Sequence, residues 1–134
     1  MRAVLDANVL VSAVLSKVGT PALLIQRWLE GEFELVVCER LLAETAATLA
    51  RPKLHGRIDP DDAADFVALV REFAEVVPDP DEAPPIRSTD PSDNYLLAVA
   101  AREKAPLVSG DQHLLMLRER APVLRPREFH ERLD

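Results

Sequence analysis

The chain is poor in the residues that build the commonest kinds of binding site. One cysteine, Cys38, in 134 residues excludes an internal disulfide, a multi-cysteine zinc site and an iron–sulfur cluster, and fits a reducing, cytoplasmic compartment. With only 4 glycines, no Gly-rich loop follows the first apolar run, so a dinucleotide-binding fingerprint is absent. Aromatic residues make up 4% of the chain. Trp28, Phe66, Phe73 and Tyr95 fall at core spacing, so a platform of rings for stacking bases is not expected. No apolar stretch approaches the roughly 20 residues that span a bilayer, and Met1-Arg2 leads straight into a short run ending at Asp6, which is not a secretory layout. Positive charge is scarce as well. Lys and Arg number 16 against 23 acids, a net charge of −7, which argues against a binder held to nucleic acid by counterion release. It does not exclude an enzyme whose acids gather a divalent cation.

What is present is a globular composition, 48% hydrophobic and 29% charged, in a length suited to one domain covering residues 1–134. Strands are expected at Arg2–Leu5, Phe33–Cys38, Val76–Val77, Pro106–Ser109 and Val123–Leu124. Helices are expected at Val9–Leu15, from Thr20-Pro21 to Gly31, at Glu39–Ala50, from Asp59-Pro60 to Phe73, from Asp90-Pro91 to Glu103, at His113–Arg120 and from Pro126 onward. Thr20 reads as an N-cap, and Pro at the first helical position recurs. Residues 78–91 hold five of the 11 prolines and read as an ordered surface loop. Strands alternating with helices predict an α/β fold with a mainly parallel sheet.

In such sheets ligands bind beyond the carboxyl ends of the strands. Asp6 follows the first strand and Asp111 follows LVSG, so both belong to that edge. Each also has an ordinary alternative, capping the helix that follows. Asp93 shares a helical face with Leu96, Leu97 and Ala100. A carboxylate there needs a cation or strong donors to offset its desolvation, unless it only accepts from free amides at the helix start. On the third helix, spacing leaves Glu44 and Glu39 equally plausible. His113, two residues after Asp111, reads as an exposed residue early in its helix. Arg51, Lys53 and Arg57 form a basic loop that either tracks phosphates or is ordinary solvated charge.

LDANVLVSA, LLAET, DPSDNYLLAVA and LVSGDQHLL, in this order and spacing, resemble PIN-domain ribonucleases nearly from end to end. ARPKL and RPREF resemble the branch of toxin components related to VapC-like toxins. The resemblance implies a three-layer α/β/α sandwich around five strands. It also implies that Asp6, Glu44, Asp93 and Asp111 hold Mg²⁺ or Mn²⁺, which selects Glu44 over Glu39, and that Asn8 and Ser109 orient the carboxylates. Ala7 and Ser109 depart from the family, where Thr is frequent at both positions. All-oxygen donors suit Mg²⁺ or Mn²⁺ better than zinc. The activity implied is metal-dependent hydrolysis of RNA phosphodiesters by a homodimer neutralised by an antitoxin, with no membrane role. The competing reading is a non-catalytic PIN-like module that binds RNA or protein. A phosphoacceptor receiver domain would need an adjacent acidic pair after the first strand and a lysine after the last, whereas only Asp6 follows the first and Lys104 precedes PLVS.

Overall fold

A run of consecutive apolar residues cannot hide in a sheet with one wet face; it needs cover on both sides. In the computed structural model, which describes residues 1–134, β1 (Arg2–Leu5) has that cover, and Ala3, Val4 and Leu5 are fully buried. Around it stand β2 (Glu34–Val37), β3 (Glu75–Val76), β4 (Leu107–Val108) and β5 (Val123–Leu124), in the order β3-β2-β1-β4-β5. Every pairing is parallel, with Ala3 opposite Leu35 and Leu5 opposite Val108. The strand order therefore reverses between β1 and β4, and the crevice at their carboxyl ends is where this fold type takes ligands.

The connections are helical: α1 (Ala7–Leu15), α2 (Thr20–Leu29), α3 (Glu39–Leu49), α4 (Pro60–Phe73), α5 (Asn94–Glu103), α6 (Gln112–Leu115) and α7 (Pro126–Arg132). The architecture is the expected three-layer α/β/α sandwich. α1 packs on α2 and α3, α3 packs on α4, and α5 packs on β1 and β4. Proline opens α2, α4 and α7, where its missing N–H costs nothing. No single helix is long and apolar enough to cross a membrane.

Several boundaries differ from the sequence expectation. Gly19, not Thr20, is the N-cap of α2. Its φ of +105° lies in a region that only glycine enters cheaply. The helix expected from Pro91 begins as a 3₁₀ turn over Pro91–Asp93 before α5 starts. α6 stops at Leu115, and Leu117, Arg118 and Arg120 continue in single i→i−3 turns. Phe73, expected in the core, is 62% exposed at the end of α4.

Candidate metal centre

Asp6 and Asp111 are the N-caps of α1 and α6, so the capping alternative is realised for both. Asp6 Oδ1 accepts from the Val9 amide at 2.9 Å and Asp111 Oδ1 from the His113 amide at 2.7 Å. A cap uses one oxygen of a carboxylate, which leaves the second. For Asp6 that oxygen, Oδ2, accepts from the Ser109 hydroxyl, and Ser109 Oγ in turn accepts the Asp111 amide at 2.9 Å. Ser109 is fully buried and Asp6 only 4% exposed, so the hydroxyl bridges the ends of β1 and β4 in a dry setting.

Asp93 takes neither role cleanly. Its side chain caps nothing, and its Oδ2 is buried without a hydrogen-bond partner. That rules out amide binding as the explanation of this acid and leaves a polar atom whose desolvation nothing in the chain repays. Burial first, then the neighbouring Asp111, Asp90, Asp6 and Glu44, push the Asp93 carboxyl up to about 6. Burial also pushes Asp6 up to about 6, against the hydrogen bonds from Ser109 and Val9, with Asp111 and Glu44 adding to the rise. Asp93 and Asp6 therefore both lie in the field of Asp111 and Glu44.

Glu44 is exposed on α3, but its Oε2 accepts the Tyr95 hydroxyl from the first turn of α5. Burial above all, and then this bond, hold the Tyr95 phenol protonated, well above its ordinary range. Glu39, the alternative left open by spacing, instead pairs with Arg71 on α4. No Lys or Arg is paired with Asp6, Glu44, Asp93 or Asp111, and the one cationic candidate touching the group is His113, whose Nδ1 lies 3.2 Å from Asp111 Oδ1. Acids grouped this way without cationic partners need positive charge from outside, and their hard oxygen donors suit Mg²⁺ or Mn²⁺. The residues present fit a divalent ion.

Two further residues stand here. One ligand atom from each of Asp90, Asp93 and His113 lies within 4.8 Å of the others. In a 3₁₀ turn residues three apart eclipse, so the DPSD sequence stacks Asp90 over Asp93; that spacing was the available signal. Ser92 holds Asp90 below the usual carboxylate range with its hydroxyl and amide. Asn8, exposed in the first turn of α1, lines a polar recess of about 450 Å³ with Ser12, Gly110 and Asp111.

The basic loop is elsewhere. α3 starts at the carboxyl end of β2 and runs back for 11 residues, about 16 Å, before Arg51, Lys53 and Arg57 are reached. Leu54 of that loop packs with Val11, Leu49 and Ala63, so the structure does not bring these cations beside the acids. An apolar groove of about 440 Å³ between α3 and α4 holds none of the acids either. Cys38 is buried and its thiol is pushed up to about 11, chiefly by that burial, which makes it a packing residue rather than a nucleophile.

An all-parallel sheet with acids converging on its switch point defines a class, and the sequence places the chain within it. The pattern of the PIN domain matches residues 2–113, and the chain belongs to the PIN domain family. PIN domains are in general nucleases that use divalent metals, acting on nucleic acid. Among solved structures, the chain is similar to the crystal structure of PAE2754 from Pyrobaculum aerophilum, with a TM-score of 0.69 and 19% identity over 99% of this chain and 89% of that one. At this identity the likeness concerns the fold. No curated protein matches the chain.

Proposed function

We propose that this PIN domain is a Mg²⁺- or Mn²⁺-dependent endoribonuclease, the toxin of a cytoplasmic toxin–antitoxin pair, with Asp6, Glu44, Asp93 and Asp111 as its metal ligands. The observation that carries the reading is the buried, unpartnered Asp93 Oδ2 within a group of acids that no Lys or Arg neutralises. When bound, a divalent ion supplies the charge that activates water towards a phosphodiester and steadies the negative charge gathering on its oxygens.

The chain's own part is orientation. Ser109 and the Val9 amide fix both oxygens of Asp6, Ser109 ties Asp111 to the same hydroxyl, and Tyr95 fixes Glu44. Asn8, at the rim of the adjoining recess, is a second orienting group. No side-chain nucleophile is needed. An antitoxin presenting a basic side chain to these acids would meet the same unbalanced charge as the metal does. A homodimer is part of the proposal, and light scattering tests it.

Expression of the wild type beside Asp6→Asn and Asp93→Asn tests the main claim, since Asn keeps the shape and, at residue 6, the cap. The wild type is expected to cleave RNA with Mg²⁺ and to arrest growth, and each variant to lose cleavage by about 100-fold or more. Variants that cleave as well as the wild type overturn the assignment. The four acids all being present favours an enzyme over a non-catalytic binding module.

A further inference from the structure

Arg40 follows Glu39 in the first turn of α3, one helical turn before Glu44 and on the same face of the helix. Its guanidinium lies over the Tyr95 ring, 4.2 Å from the centroid, while the Tyr95 hydroxyl reaches Glu44. Arg40 makes no ion pair or side-chain hydrogen bond, and neither does Arg87, which lines the same cleft of about 280 Å³. Both are exposed. The remaining wall is stiff. It carries Pro80, Pro84 and Pro91, and it is anchored at one end by the Arg40 amide on Asp79 Oδ1 and at the other by Asn94 Oδ1, which accepts the Ser88 amide.

Tyr95 is only 5% exposed, so its ring offers no free face to a ligand. Arg40 extends that face outward. A planar guanidinium stacked on a buried ring presents its outer side to solvent, and unpaired bases stack on such guanidinium planes. Asp81 and Glu82 line the cleft too and offset the two arginines, so it does not behave as a trap for free anions. It offers a flat cationic face with carboxylate acceptors at its edge. That is the complement of an unpaired base, whose ring stacks and whose amino groups donate.

We propose that the Arg40–Tyr95 pair is the stacking platform for an unpaired base of the RNA substrate, held about one helical turn along α3 from Glu44. This rests on reading the acids as an RNA-cleaving centre. It makes Arg40 a substrate-binding residue, and it ties selection to single-strandedness, because a base locked in a duplex cannot reach the platform.

The test is fluorescence anisotropy with a short fluorescein-labelled single-stranded oligoribonucleotide of mixed sequence, in the Asp6→Asn background so that the strand survives. Arg40→Ala is expected to weaken binding about tenfold. Arg40→Lys, which keeps the charge but not the plane, is expected to stay close to the alanine variant. Duplex RNA of the same sequence should not distinguish Arg40 from Ala. Binding unchanged in Arg40→Ala, full recovery in Arg40→Lys, or no binding of single-stranded RNA by the background protein overturns the platform. If binding depends on Arg40 while wild-type protein with Mg²⁺ cleaves nothing, the nuclease reading fails and the platform stands as a binding site.

Discussion

At Asp93 a carboxylate is folded into a place that favours its proton. The folded protein therefore binds more protons here than the unfolded chain between the ordinary aspartate range, near pH 4, and about pH 6. Its contribution to stability falls as pH rises through that window and stays low above it. Asp93→Asn removes the ionised form, so in EDTA at pH 7 the variant is expected to be more stable than wild type by about 1 kcal/mol, shrinking towards zero near pH 4. Urea melts of both proteins across that range check this, and a variant less stable at pH 7 contradicts it. Ser109 offers the complementary experiment. Ser109→Ala leaves Asp6 Oδ2 and the Asp111 amide without their shared partner and is expected to lower Mg²⁺ affinity by about 10- to 100-fold, measured by calorimetry. At this scale the sequence was only partly informative. Asp6 and Asp111 were legible because they end apolar runs. Spacing does not separate Glu44 from Glu39 and only the family resemblance does, because the structural difference is a hydroxyl 51 residues away, on a tyrosine that spacing describes only as core. Arg40 was invisible for the same reason: its partner is set by the packing of α3 beside α5.

Among the elements, α5 ends in a conformation that its own residue resists. Lys104 caps it with φ +54° and ψ +44°, a left-handed geometry in which an L side chain crowds the backbone. Lys104→Gly is expected to raise stability by about 0.5–1 kcal/mol, read as a higher urea midpoint at unchanged slope. The helix starts show the opposite, local rules obeyed. Proline-led openings located α2, α4, α7 and the turn before α5 to within a residue or two. The sequence pattern extends α6 too far because Leu114, Leu115 and Leu117 fit the inward side of successive i→i−3 turns as well as that of an α-helix. Phe73 fits the apolar period but is exposed, because the period carries on to the last turn of α4 while the neighbouring layer does not.

Taken whole, the molecule carries a net charge of −7 and concentrates part of it at the carboxyl edge of the sheet. A bound cation relieves repulsion present only in the folded state, and anything that binds the native form alone stabilises it. Millimolar Mg²⁺ is expected to raise the Tm of wild type by several degrees, with EDTA reversing the gain and Asp6→Asn abolishing most of it. Scanning fluorimetry reads this directly, and an equal rise in both proteins would make the effect general screening.

The order of the sheet governs when the acids can meet. β1 is made first and sits at the centre, yet its neighbour β4 arrives so late that the hydroxyl completing Asp6 lies 103 residues downstream. Asp6 therefore gains its Ser109 partner only once residue 109 has joined the chain. Fragments lacking residues 90–134 have neither Asp93, Ser109 nor Asp111, so they cannot bring the acids together.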